Sequence, residues 1–296
     1  MKIEIKYKLT APTSHIGEVA STGSYFNTIL TSSGKVPVIT GNSVRGQIRD
    51  CCASYFLNRI GAKVSKEVFH VLFSGGNISG TMRDDVEKSR LVRQHFPMIS
   101  LLGGGLGDMI MAGKSMFSFL YPICKETFSI TGIESFRSWH EMIDEIEFTR
   151  TDDSKNDLKS AYLIDFEEES KAKASTQMRF SVQYMAAGTE FVQKIDLIDN
   201  ITDLEIAALY SGILNWFQHP KLGGMSAKGF GTFDADVIAD TGCISLSGGE
   251  INMPENTKSL VEIYNKFLDE EGSQYLELLE VKKGASKSVK KSNSTD

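Results

Sequence analysis

Twice along this chain a strand-like stretch runs into a strongly periodic helix, and that order limits what the chain can fold into. Residues 2–10 alternate, with Ile3, Ile5 and Tyr7 on one face and Lys2, Glu4, Lys6 and Lys8 on the other. That is the two-residue period of a half-buried strand. Further on, "VPVITGNSVRGQIRDCCASYFLNRIG" gives an apolar arrival and then a helix. Val44, Ile48, Cys51, Cys52, Tyr55, Phe56 and Ile60 recur there at helical spacing, Asn42 or Ser43 can cap the start, and Gly61 can end it. The pattern returns as "SVQYMAAGTEFVQKIDLI", a strand, followed by the helix "TDLEIAALYSGILNWF". Its broad apolar face holds Leu204, Ile206, Ala207, Leu209, Ile213, Leu214, Trp216 and Phe217, with Thr202 or Asp203 as cap. A strand pair is expected around "MIMAGKSMFSFLYPI" and a closing strand in "KGFGTFDADVIAD". Strand, helix, two strands, helix, strand is the order of an α+β, RRM-like (ferredoxin-like) antiparallel sheet with both helices on one face. Such a fold alone says little about function.

The chain has 296 residues, 41% hydrophobic and 24% charged, enough for one large domain or two small ones. No apolar run reaches the roughly 18 residues of a membrane span, and the alternating start fits a strand and not a signal peptide. Cys51, Cys52, Cys124 and Cys243 show no C-x-x-C spacing, so buried free thiols of a cytoplasmic protein are expected. A net charge of −6 argues against a surface that coats nucleic acid everywhere but leaves room for one basic groove. Residues 62–108 read as irregular. Residues 140–186 form the most polar interior stretch and read as a projecting, mobile excursion. From Lys282 onward the basic, Ser-rich end reads as a disordered tail.

Several familiar chemistries are absent. "GDMIMAGKS" contains Gly-Lys-Ser, but five residues separate Gly107 from Gly113 where a phosphate-binding loop needs four, and a strand pattern follows instead of a helix. No G-x-S-x-G elbow occurs. His15, His70, His95, His140 and His219 lack the i, i+4 pairing of a metal site, and the carboxylates of "FEEES" at 166–170 read as a solvated charge run. No cofactor, metal or catalytic group is therefore expected. Two stretches remain. At residues 41–49 a helix start offers free N–H groups with Ser43, Arg45 and Arg49, a set that suits a phosphate. The turn "HPKLGGMSAKGFGTF" is unusually open, and its glycines suit a phosphate, another backbone, or no ligand at all.

Three pieces in this order resemble the RAMP superfamily of CRISPR proteins: "HIG" after the first strand, "VPVITGNSVRGQIR", and "LGGMSAKGFG". Within it the chain looks most like the backbone subunit that polymerises along a guide RNA, closest to the type IV version, with type III and I-D relatives also open. The resemblance implies a palm built from residues 1–61, 109–139 and 187–240, a finger-like insertion at 62–108, a thumb-like insertion at 140–186, and a C-terminal extension with tail at 241–296. It also implies guide RNA (crRNA) binding by His15, Gly41, Asn42, Ser43, Arg45, Arg49, Arg90, Arg93, Gly223, Gly224, Met225, Ser226 and Lys228, with Lys221 beside them. Implied partners are further copies in a helical filament, other effector subunits, and complementary target DNA or RNA through the guide; no membrane is implied. Target-cleaving type III relatives carry an aspartate in the loop before the Gly-Ser helix start. The matching place falls near Tyr25, and no Asp or Glu occurs between Glu18 and Asp50. Metal-assisted cleavage needs such a carboxylate, so a non-cutting subunit is expected. Two other readings stay open: an endoribonuclease of the same superfamily using His15 or cutting target, and an unrelated ferredoxin-like scaffold without RNA affinity.

Overall fold

Strand β1 (Lys2–Leu9) is the axis of the main sheet. Ile3, Ile5, Tyr7 and Leu9 point into the core and are each no more than 1% exposed. The computed structural model describes residues 1–15, 18–20, 23–76, 85–107, 109–150, 178–198 and 200–280. The acidic run at 166–170 and the tail from Lys282 lie outside those described residues.

After β1 come the short strands β2 (Glu18–Ala20) and β3 (Gly23–Tyr25), the hairpin β4 (Asn27–Thr31) and β5 (Gly34–Val38), and helix α1 (Gly41–Ile60). Helices α2 (Lys66–Ser74), α3 (Val86–His95) and α4 (Pro97–Leu102) follow, then strands β6 (Gly104–Leu106), β7 (Met109–Met111), β8 (Ser115–Phe117) and β9 (Tyr121–Pro122). A short helix α5 (Phe128–Thr131) precedes β10 (Ile143–Arg150), β11 (Met178–Met185) and β12 (Glu190–Leu197). Helix α6 (Asp203–Gln218), strands β13 (Phe233–Ala239), β14 (Gly242–Ser247) and β15 (Glu250–Asn252), and helix α7 (Glu255–Glu271) complete the chain.

The main sheet runs β15-β14-β13-β1-β12-β8, with β9 also on β12, and every pairing is antiparallel. With the additions stripped away, β13-β1-β12-β8 is the expected RRM-like order, in which α1 follows the first strand and α6 precedes the last. Helices α1 and α6 pack on each other over the sheet. Between them and the sheet, Tyr7, Trp216 and Phe233 form an aromatic knot with ring centroids 5.0 to 6.1 Å apart. Their polar atoms are satisfied: Tyr7 donates to Gln193 Oε1 at 3.0 Å, and Trp216 Nε1 donates to the Lys221 carbonyl at 3.0 Å.

Four expectations change. Residues 62–108 are not irregular over their described part, because α2 and α3 begin at the side-chain caps Ser65 and Asp85 and α4 has Pro97 in its first turn. The stretch "SVQYMAAGTEFVQKIDLI" is two strands: at Gly188, with φ of 82°, the chain leaves the second sheet and enters the main one. That second sheet has the order β10-β11-β3-β2. Helix α7 was not anticipated, and it covers α1 and α6 with Tyr264 and Leu268 buried. Finally, Cys243 is exposed and Cys51 half-buried, while Cys52 and Cys124 are buried thiols; all four are free.

Among the described residues no helix is long and apolar enough to cross a membrane, and no cluster of His, Cys, Asp and Glu could hold a metal ion.

Candidate nucleic-acid interface

The segment leaving β1 is clamped by the glycine turn. Thr13 Oγ1 donates to the Leu222 carbonyl at 2.5 Å, Gly224 N–H donates to the Ser14 carbonyl at 2.7 Å, and Gly231 N–H donates to the Pro12 carbonyl at 2.7 Å. A Cβ on Gly223, which has φ of 80°, would stand 2.2 Å from the Ser14 carbonyl oxygen, and one on Gly231 would stand 2.4 Å from that of Leu222. The partner that demands these glycines is therefore another stretch of the same backbone. Met225 also takes a left-handed conformation, φ 59°, and starts a tight turn over Ser226–Lys228 that leaves Ser226 and Lys228 exposed.

One residue past Ser14, His15 meets the start of α1. Thr40 N–H donates to His15 Nε2 at 3.4 Å, and Thr40 Oγ1 lies 3.4 Å from the same nitrogen. Burial lowers the His15 pKa, so at neutral pH the ring is uncharged and fit to accept from Thr40. Thr40 caps α1 by accepting from Ser43 N–H, which replaces the expected Asn42 or Ser43 cap. The helix starts two or three residues earlier than expected, with Gly41 packed flat on the end of β8. A Cβ on Gly41 would stand 2.5 Å from the carbonyl oxygens of both Phe117 and Ser118. Gly41 is thus buried against the end of β8, while Asn42 is exposed beside the cap. Sequence reasoning missed Thr40, Thr13 and Ser14. Among the described residues the buried Ser14 Oγ has no hydrogen-bond partner, and it belongs to the join between the two segments.

Lys228 extends this join to a third element. Its Nζ sits 3.9 Å over the Phe148 ring and 4.9 Å over Phe180, on the β10–β11 hairpin. Next to it, Phe230 meets Tyr184 edge-on at 6.2 Å. Phe148 and Phe180 also escaped sequence reasoning, since their pairing across residues 151–177 leaves no local signal.

The arginines go elsewhere, a correction to the single groove expected from the sequence. Arg45 and Arg49 lie one turn apart on α1 and both turn inward to the end of α4. The Arg45 guanidinium donates to the Leu102 carbonyl, and Arg49 Nη2 donates to the carbonyls of Leu102 at 2.8 Å and Gly103 at 2.9 Å. A helix C-terminus presents unpaired carbonyls and the negative end of the dipole, which two guanidinium groups satisfy. Arg49 is buried, and burial, then the nearby Arg45 charge, pushes its pKa down to about 10. On α3, Arg90 is paired with Glu87 at 2.7 Å and Arg93 donates to the Ala112 carbonyl at 2.8 Å. That helix packs on α4 and the turn Leu276–Leu279, so neither residue joins the His15 cluster. The Gly-Lys-Ser of "GDMIMAGKS" is likewise structural. Lys114 pairs with Glu205 at 2.7 Å, and Ser115 Oγ donates to the Leu101 carbonyl at 2.8 Å.

The central strands of the sheet face opposite the helices form no stacking platform. RRM-type sheets stack bases on aromatic side chains. Here the outward positions of β1 are Lys2, Glu4, Lys6 and Lys8, and their cross-strand neighbours include Asp196, Lys194, Asp236, Glu190 and Asp234. Opposite charges face each other and no ring is present on the outward positions of β1, β12 or β13.

The architecture is that of a palm whose first-strand exit, first-helix start and final glycine turn meet at one edge. The chain belongs to the RAMP superfamily, whose family model matches residues 6–234. It shares its fold with a chain of a Type IV-B CRISPR complex, at a TM-score of 0.58 and 17% identity over 87% of this chain and 96% of that one. Csc2 of Thermofilum pendens also aligns, at a TM-score of 0.39 and 12% identity over 94% of this chain and 76% of that one. No curated protein sequence gives a match.

Proposed function

We propose that this chain is a non-catalytic subunit of a CRISPR ribonucleoprotein, many copies of which line a guide RNA and hold its sugar-phosphate backbone for target pairing. One observation carries this: the Ser14–His15 segment, the capped start of α1 and the Lys228 turn, far apart in sequence, meet in one place. Membership of the RAMP superfamily supports it, and so does the fold shared with a chain of a Type IV-B CRISPR complex.

At that edge the first N–H groups of a 20-residue helix, the Asn42 amide, the Ser43 hydroxyl and the Lys228 ammonium are the groups suited to phosphate oxygens. Contacts of this kind ignore base sequence and weaken with salt, leaving target sequence to be read by pairing with the guide. The region from residue 19 to residue 49 holds no carboxylate to place a metal, and the His15 Nε2 lone pair faces Thr40, both of which favour holding RNA over cutting it. Other effector subunits and a complementary DNA or RNA target are the partners such a complex implies.

Size-exclusion chromatography of the chain expressed alone, with the 260 to 280 nm absorbance ratio followed across the peak, tests this. The expected result is a large RNA-rich species that collapses to small particles on ribonuclease treatment, leaving RNA uncut in its absence. An RNA-free monomer that ignores added guide RNA, or a discrete cleavage product lost on His15→Ala, contradicts it.

A further inference from the structure

We propose that Phe148 and Phe180 form a nucleobase-stacking step on the β10–β11 strand pair, with Lys228 taking the adjoining phosphate. This rests on the RNA-binding function above and adds a site for the bases to one for the backbone. The two phenylalanines are direct cross-strand partners, Phe148 opposite Phe180, so their rings lie side by side on one face of the hairpin. Their centroids are 5.5 Å apart and the planes differ by 26°, which makes a nearly continuous aromatic step. Both are half-buried, whereas Val182 on the same face is 3% exposed. Simple packing at this point would be served by an aliphatic pair.

Among the described residues, what covers the step is the exposed ammonium of Lys228. It rests on both rings, in a turn that the neighbouring Phe230–Tyr184 contact holds. An exposed cation over a ring is held weakly, while an ammonium facing a phosphate oxygen makes the stronger, charge-assisted bond. A nucleotide supplies both halves of the exchange: its phosphate draws Lys228 off the rings, and its base takes the vacated face. An aromatic platform beside a cation is how single strands are gripped without regard to sequence. The location agrees, because the turn carrying Lys228 is the one that clamps the Ser14–His15 segment. The central strands β13, β1 and β12 carry no outward ring, and this step offers stacking near the candidate backbone contacts.

The test uses the full chain and a short single-stranded RNA carrying 2-aminopurine, compared with the same strand made abasic at that position. The wild type should quench 2-aminopurine on binding and prefer the base-containing strand. Phe180→Leu and Phe148→Leu should each weaken that strand's binding roughly tenfold and restore its fluorescence, while leaving abasic-strand affinity unchanged. Lys228→Ala should lower the slope of log affinity against log salt by about 1 on both strands. Leucine variants that bind and quench like the wild type would make the pair a structural latch and overturn the proposal. Should those variants fail to fold, the wild type decides alone, since equal affinity for both strands without quenching overturns it. Loss of all RNA binding would sink the subunit function as well; binding without a stacking signal would sink the stacking step alone.

Discussion

Two places in this molecule gather the residues that usually hold phosphate, and they are built in opposite senses. At the end of α4, Arg45 and Arg49 turn inward, away from solvent, onto the carbonyls of Leu102 and Gly103. At the glycine turn, Lys228 turns outward and rests on two rings, and Gly224 of the same turn is bonded to the segment whose His15 meets the start of α1. The difference teaches that a cation's partner decides its role. A guanidinium committed to buried carbonyls stabilises the fold, whereas an ammonium on an exposed aromatic face is free to exchange.

The contrast can be broken by substitution. The largest effect is expected at another inward-turned cation, Lys114, whose loss in Lys114→Met leaves the buried Glu205 carboxylate without its partner. Unfolding in urea should show a loss of about 3 kcal/mol. Burial alone would push the Glu205 pKa up, but bonds from Lys114 and the Thr202 N–H help outweigh it and hold the pKa below the usual carboxylate range. A depressed carboxylate contributes stability above its unfolded pKa of about 4.3 and loses it as pH falls through the lower folded value. Acid unfolding of Lys114→Met should therefore be shallower than that of the wild type. Next, Arg49→Ala should cost about 2 kcal/mol by stripping donors from buried carbonyls, with the salt slope of RNA binding unchanged. Unfolding curves paired with RNA titrations check both halves.

Gly223→Ala tests stability and binding at the glycine turn in one experiment. The new methyl meets the Ser14 carbonyl and strains a left-handed backbone, so a stability loss of about 1–3 kcal/mol is expected. RNA affinity should fall with it, since the strained contact is also the clamp on the His15 segment. A smaller effect concerns His15. Its folded pKa is lowered, so the unfolded chain takes up a proton first as pH drops below about 6.5, and stability falls over that window. In His15→Gln, thermal unfolding between pH 5 and 7 should be flatter by less than about 1 kcal/mol. The smallest stability effect, within about 0.5 kcal/mol, is expected for Lys228→Ala, although its RNA affinity should drop several-fold at low salt.

Much of the palm could be read from the sequence because it is written in local periods. The alternation of Ile3, Ile5 and Tyr7 and the helical spacing of Val44, Ile48, Cys52 and Phe56 are one-face patterns that survive in the fold. What could not be read has nonlocal causes. Helix α7 carries a modest stripe, Leu260, Tyr264 and Leu268, embedded in acidic and polar residues, and its support comes from α1 through contacts such as Tyr55 Oη to Asn265 Oδ1 at 2.5 Å. The caps Ser65 and Asp85 were present as signals in a stretch whose mixed charge hid them.

At the candidate site, residue types were legible but their direction was not. His15, the α1 start and the glycine turn were identified and do come together. Arg49 has the same sequence credentials as Lys228, and only the position of α4 shows that it faces inward. Phe148 and Phe180 became visible only when β10 and β11 paired. For the glycines of the turn the sequence left a phosphate, another backbone or no ligand open, and Gly223 and Gly231 serve an approach of the chain to itself.

The most direct test of the account is to map the peptides that crosslink to bound single-stranded RNA under ultraviolet light. Crosslinks should concentrate in peptides carrying residues 12–15, 40–43 and 223–230, with Phe148 or Phe180 among the modified side chains. Crosslinks confined to α3 around Arg90 and Arg93, or to the outward face of β1, would place the RNA where this structure offers neither free cations beside a helix start nor rings, and would contradict the account.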